Sequence, residues 1–320
     1  MIEDGKNNSQ FNYLLSIKFF KIMKTKFITS IIILSVCSLF IFLTSGCESE
    51  TSNSSLTQEE QEIIEQYSYV GDEHNNLMSS IYNEFSSKTR SSCISLTKNG
   101  FAESVENATK RVFINNGVAI ENIANVEKYF QIDTLTKTRS ASLITNYSDS
   151  IIGIYASDQL KGLLNDLIEV SDNYNLSIER HKSQVNNLNK LAISTLDKKE
   201  LGYFLAGSST ACASFEYWHN HLKEWCKLIA TNTTSRLKSG EKDFWDPYGT
   251  DSTTVANNGV CEGMVGADVG GAVTGAITGG LAGSTAVGAG AVPGAVTGAV
   301  VGGVAASAGK VVENIINNLF

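Results

Sequence analysis

DVGGAVTGAITGGLAGSTAVGAGAVPGAVTGAVVGGVAASAGK spans Asp268 to Lys310, with no charged residue between its two ends. Within it, glycine returns at every fourth position in two runs. The first is Gly271, Gly275, Gly279 and Gly283, and the second is Gly290, Gly294, Gly298 and Gly302. Glycine inside a helix loses about 1 kcal/mol against alanine. Eight such positions together lose about 8 kcal/mol, as much as the whole stability of many domains. A disordered segment would avoid that loss, but it would not need Val, Ile and Ala at the remaining positions. The spacing makes sense if the missing side chain is what matters. Glycine at every fourth residue cuts a flat groove along one helix face, and a second backbone can then come close. Dispersion and weak Cα–H···O contacts offset the propensity loss.

The same spacing selects a partner. A hairpin folded about Ala286–Val287 sets Gly283 opposite Gly290, Gly279 opposite Gly294, Gly275 opposite Gly298 and Gly271 opposite Gly302. Each pair of numbers sums to 573, as one antiparallel register requires. Two helices packed glycine to glycine are therefore expected. Pro293 fits best at a first helical position, which would start the second helix near 293 and leave Gly290 in the loop. The tail KVVENIINNLF carries Val311, Val312, Ile315, Ile316 and Leu319 on one face, so an amphipathic continuation of that helix is expected.

The segment from about Gly263 to Gly309 resembles the glycine-zipper two-helix family of bacterial outer-membrane lipoproteins. Membership would imply association with a membrane and would not imply an enzyme. In that family the zipper lies close to the lipid-bearing cysteine, whereas here it lies far downstream. As helix, Val265 to Gly283 would span about 28 Å, near the ~30 Å of a bilayer core. Between Val269 and Gly309, however, only Ile277 and Leu281 are aliphatics larger than valine. Such a hairpin is a marginal inserter, weak enough to cross the inner membrane during export. Membrane insertion is the expectation; a soluble hairpin packed on the helical domain is the alternative.

The start of the chain sets a compartment. Met23-Lys24-Thr25-Lys26 is basic, Phe27 to Leu43 is apolar, and Thr44-Ser45-Gly46-Cys47 follows. That order is the pattern of an export signal. Small residues before a cysteine resemble the lipobox of bacterial lipoproteins, with Thr44 at position −3 and Leu43 one place upstream. The resemblance implies lipidation at Cys47, which becomes the mature N-terminus. An uncleaved anchor is the competing reading, because 17 residues lie near the lower limit for a span. Residues 1–22 read as an over-extended start, 23–46 as the signal peptide and 47–56 as a tether too hydrophilic to fold. Its opening, CESETSNSS, resembles the surface-export signal of Bacteroidota lipoproteins, and the overall layout is similar to lipoproteins of that group. An outer-membrane location, facing outward, is expected.

Removing residues 1–46 takes five of the 25 Lys/Arg and two of the 33 Asp/Glu, leaving a net charge of −11. That excludes nucleic acid and anionic headgroups as electrostatic partners. The expected partners are a lipid membrane and a second copy of the chain in a homo-oligomer.

Residues 57–235 read as an all-α bundle. No proline interrupts Cys47 to Asp246. Thr57 and Glu60 form a capping-box pattern. Apolar residues recur at helical spacing in Ile63, Ile64 and Tyr67, in Leu77, Ile81 and Phe85, in Phe101, Val105, Ala108 and Val112, and in Leu160, Leu163, Leu164, Leu167 and Ile168. The stretch Ser194–Asp197 opens another helix through Leu201 and Phe204. Six to eight helices are expected, followed by a linker over 236–262 and the hairpin over 263–320. The fold class is thus a helical bundle domain followed by a C-terminal glycine-zipper hairpin.

Two stretches could carry chemistry. In EYWHNHLKEWCK, His219 and His221 point about 200° apart on a helix, while Trp218, Leu222 and Trp225 share one apolar stripe. A core aromatic helix is expected, and no metal. In VGDEHNNL, Asp72, Glu73 and His74 lack a nucleophile and a group to orient the histidine, so a helix N-terminal turn is expected. Cys93, Cys212, Cys226 and Cys261 permit three disulfide pairings. On one straight helix Cys212 and Cys226 would stand about 21 Å apart, beyond the ~7 Å that a bridge spans. The sequence contains no phosphate loop, Gly-x-Ser-x-Gly or zinc motif, so a non-enzymatic protein without cofactor is expected. The zipper also resembles the GxxxG peptides of two-peptide bacteriocins, which makes a pore-forming or bacteriocin-like antibacterial toxin the alternative.

Overall fold

A capping box opens the first helix. Thr57 N–H donates to Glu60 Oε2 at 2.7 Å, and Glu60 N–H donates back to Thr57 Oγ1 at 3.3 Å. This reciprocal arrangement satisfies amides that a helix start leaves free. The computed structural model describes residues 57–91, 98–119, 123, 126–130, 151–232, 263–285 and 291–319. The segments expected to be signal peptide, tether and linker, together with Cys47, Cys93, Cys261 and Gly290, lie outside the described residues. Among the described residues seven longer α-helices follow in order: α1 Gln58–Ser91, α2 Lys98–Asn115, α3 Asp158–Ser171, α4 Ile178–Thr195, α5 Lys198–Asn232, α6 Met264–Thr285 and α7 Ala291–Leu319; residues 151–155 are also helical. A 3-10 turn at Glu127–Phe130 lies between α2 and α3. No strand occurs among the described residues.

Caps position the remaining helices. Ser157 caps α3 by accepting from Leu160 N–H at 3.1 Å, and Ser177 caps α4 by accepting from Arg180 N–H at 3.2 Å. Glu200, in the first turn of α5, accepts from the Ser157 backbone N–H and hydroxyl, both at 2.6 Å. The starts of α3 and α5 are thereby tied together. At the C-terminal end of α3, Asp172 accepts from Gly266 N–H at 3.3 Å, and Tyr174 OH accepts from Val265 N–H at 3.3 Å. Both groups satisfy orphan amides at the start of α6, and a carboxylate there suits the helix dipole.

Most of the expected stripes are core. Tyr67, then Leu77, Ile81 and Phe85, then Phe101, Val105, Ala108 and Val112, then Leu160, Leu163, Leu164 and Leu167 are buried, while Ile63, Ile64 and Ile168 are half-buried against them. Trp218, Leu222 and Trp225 are buried on α5 as well. Trp225 stacks on Phe85 at 6.3 Å and donates from its indole N–H to Tyr217 OH at 3.1 Å. Cys212 and Cys226 lie on the same helix as free thiols.

The hairpin does not stand behind this bundle as a second module. Leu56–Phe320 forms one compact unit, in which α6 packs on α5 and α3 while α7 packs on α1, α2, α5 and the 3-10 turn. Every residue of 263–274 and of 299–316 is buried. In this structure the hairpin packs on the helical domain. Helices that are apolar all round belong in a core. Two further expectations change. First, α7 begins at Ala291, two residues before Pro293; proline is tolerated there because first-turn amides have no intrahelical acceptor. Second, the tail continues α7 as expected but has no solvent face through residue 316, since Lys310, Glu313 and Asn314 are buried too. Lys310 Nζ donates to Glu313 Oε2 at 3.1 Å, which lets both charges enter the core together.

The Val70–Leu77 stretch also departs from expectation. It is the middle of α1, not an N-terminal turn. Gly71 ends nothing: a Cβ there would collide with the Ser209 carbonyl and lie 2.8 Å from Ala213 Cβ. The glycine lets α1 and α5 touch. Ser209 hydroxyl donates to Ser68 O at 3.0 Å across the same crossing. Gly71→Ala is expected to lower stability by about 1–3 kcal/mol through overpacking. Gly162→Ala, on the open face of α3 with nothing within 4 Å, is expected to raise it by about 1 kcal/mol. Urea denaturation midpoints measure both.

Candidate functional site: the glycine seam and the buried acid beneath it

The glycine runs face each other in the 573 register. A Cβ on Gly271 would run into the Gly302 carbonyl, one on Gly275 into the Gly298 carbonyl and one on Gly279 into the Gly294 carbonyl. The reverse holds from Gly302, Gly298 and Gly294. All six approaches are shorter than the 3.0 Å that real Cβ atoms respect. The hydrogen that occupies the Cβ position on each glycine therefore points at a carbonyl oxygen of the opposite helix. That is the geometry of a Cα–H···O contact, worth about 0.5–1 kcal/mol. Six of them supply about 3–6 kcal/mol against a propensity loss of about 6. The register extends beyond the ladder, where Gly263 sits beside the Lys310 side chain. Gly283 approaches Gly294, while its expected partner Gly290 lies outside the described residues.

Beneath the seam lies a polar cluster that the sequence reading did not assemble. Asp268, one turn into α6, has no solvent exposure. Its Oδ2 accepts from the Ser214 hydroxyl, from the Trp218 indole N–H at 3.2 Å and from the Ser307 hydroxyl at 2.9 Å. His74 of α1 is also fully buried, with its Nε2 3.6 Å from the same oxygen. Four helices, α1, α5, α6 and α7, therefore meet at one carboxyl group. Burial pushes the Asp268 carboxyl up to about 8; the hydrogen bonds from Ser214, Ser307 and Trp218 work against that shift, and the Asp172 charge adds to it. Burial pushes the His74 imidazole down to about 4, against the hydrogen bond to Asn75. Asp268 is the lone charge in an otherwise uncharged helix. In a core, such a residue must find partners, and that signal could have pointed to the cluster.

The remaining candidates are dispersed. Asp72 is exposed, and Glu73 accepts from Tyr69 OH at 2.9 Å at the surface. His219 is exposed, and His221 pairs with Glu224 at 3.0 Å. The buried imidazole on the neighbouring layer is His181 of α4, stacked on Phe215 with ring centroids 4.0 Å apart and pushed by burial down to about 4.

No family model, curated protein or solved structure matches the chain.

The seam separates two kinds of glycine on one helix. Gly275→Ala and Gly298→Ala are each expected to lower stability by about 1–3 kcal/mol or more, because the obstructing atoms are backbone. Gly280→Ala meets only ordinary contacts, with Ala295 and Tyr203 at 3.5 Å, and is expected to raise stability by up to ~1 kcal/mol. Thermal melts of the three variants measure this, and equal effects at 275 and 280 would contradict the seam.

Proposed function

We propose that the chain is a non-enzymatic, lipid-anchored protein of the bacterial cell envelope. In this reading Cys47 carries the lipid, residues 47–56 form a tether, and the helical unit is held at the outer membrane. The observation that supports this most is the use made of the hairpin. Its groove is filled by its own second helix, and the parts away from the turn, 263–274 and 299–316, are buried against α1, α2, α3 and α5. Self-association of the zipper is thus satisfied within one chain, and attachment to the membrane falls to the lipid. The buried pair of Asp268 and His74 offers no solvent-facing atom to a substrate.

A pore-forming or bacteriocin-like antibacterial toxin is the second reading. It is favoured by the length of α7, whose Ala291–Ile316 stretch of 26 residues is long and apolar enough to cross a membrane. Most of that stretch is buried inside the protein, which weighs toward a core element.

Labelling cells with radioactive palmitate tests the first reading. Wild type is expected to carry label and to fractionate with the outer membrane, and Cys47→Ala is expected to lose both properties. A labelled Cys47→Ala that fractionates like wild type would remove the lipid anchor. Dye-loaded phosphatidylethanolamine/phosphatidylglycerol vesicles are expected to stay intact with purified protein, and rapid release would favour the toxin.

A further inference from the structure

Asn75 determines which nitrogen of His74 carries hydrogen. Its side-chain Nδ2 donates to the Ala213 carbonyl at 2.9 Å, which turns its Oδ1 toward His74 Nδ1 at 3.0 Å. An amide oxygen only accepts, so Nδ1 is the protonated nitrogen. The neutral ring therefore presents the bare lone pair of Nε2 to Asp268 Oδ2, 3.6 Å away. Two acceptors sealed from water and facing each other repel unless a proton lies between them. If the proton resides on the acid, the pair is neutral. If it resides on the ring, the pair is ionic with zero net charge, and the donors Ser214, Trp218 and Ser307 stabilise the carboxylate. Either state holds one proton. Adding a second leaves a buried imidazolium without a counter-ion, and removing it leaves a buried carboxylate without one.

We propose that His74 and Asp268 share a single proton and form a lock that joins the hairpin to α1 with constant net charge. The lock stands on this geometry and does not depend on the lipid-anchor reading. Burial acts in the same direction, raising the acid to about 8 and lowering the imidazole to about 4. Other charges face the lock from two sides. Asp172, at the end of α3, raises Asp268 further. On α7, the Lys310–Glu313 pair one turn beyond Ser307 balances itself. From α5 the contacts are Ser214 and Trp218, neither of which carries a charge.

The consequence is a stability that does not change with this pair's titration in mildly acidic medium. Between the ordinary ranges of a carboxyl (~4) and an imidazole (~6.5), the unfolded pair also holds one proton, so folding neither takes up nor releases one. Removing either partner should expose a slope of one proton, about tenfold in the folding constant per pH unit. In Asp268→Asn the folded imidazole is neutral while the unfolded one protonates, so stability should fall as pH drops below about 6.5. In His74→Gln the folded acid keeps its proton while the unfolded one ionises, so stability should rise as pH drops from about 8 toward 4.

Urea unfolding of full-length wild type and both variants across this range reads the slopes. Opposite signs in the two variants relative to wild type are expected, and equal slopes in all three would overturn the lock. If a variant does not fold, ring ¹⁵N spectra of histidine-labelled wild type give the answer alone. His74 is expected to show a protonated Nδ1 and constant shifts between about pH 5 and 7, with the exposed His219 and the half-buried His221 in the same spectrum. A His74 signal that titrates within that range would overturn the proposal.

Discussion

The close approach of two backbones along α6 and α7 is the constraint on which the rest of the unit depends. Glycine at 271, 275 and 279 leaves room for the carbonyls of 302, 298 and 294, and the reverse holds from the other helix. Any side chain at these positions pushes the helices apart. Between Val269 and Gly309 the two helices are otherwise mostly Ala, Val and Thr, so this part of the pair forms a thin, smooth slab with few features of its own. The large residues come from outside it: Phe85, Phe101, Phe204, Phe215, Trp218 and Trp225 are all fully buried on α1, α2 and α5. Small residues in the hairpin and large ones in its surroundings are two parts of one packing solution.

A slab this uniform lacks markers that would fix how it sits. Knobs and holes give helices their register, and a Gly/Ala/Val surface supplies few of either. The polar groups supply them instead. Asp172 and Tyr174 hold the first amides of α6. Asp268 gathers donors from α5 and α7 and faces His74 of α1. Lys310 and Glu313 enter as a pair at the far end of α7. Burying such groups brings little net stability, but each accepts one arrangement far better than its neighbours. Their contribution here is to the placement of the hairpin. The small-residue theme recurs where α1 crosses α5, at Gly71, Ser209 and Ala213, so close backbone packing is used twice in the same unit.

Much of this was legible in the residues. Glycine at every fourth position in two runs has one antiparallel solution, and Thr57 with Glu60 announced a helix start. The stripes on α1, α2, α3 and α5 identified the core because their spacing leaves no other face for them. The position of the hairpin was less legible. A helix without charges suits a bilayer and a protein core equally, and only the large aromatic faces awaiting a partner on other helices distinguish the two. Val70–Leu77 misled because Asp72, Glu73 and His74 look like a helix N-terminal turn, whereas Gly71 within the stretch serves a contact with α5, far along the chain. The tail misled for a similar reason: Lys310, Glu313 and Asn314 look like a solvated face until Lys310 and Glu313 are seen to neutralise each other. His74 and Asp268 lie far apart in sequence, and no local pattern links them.

If the hairpin is the centre of the unit, its amides should open only when the whole unit unfolds. Hydrogen–deuterium exchange with mass spectrometry on the full-length chain measures this directly. Peptides covering 264–280 and 298–312 are expected to exchange last, with the same opening free energy as the Trp218–Trp225 stretch of α5. Exchange of those peptides ahead of the outer helix α4 would mean that the glycine helices are not packed together at the core.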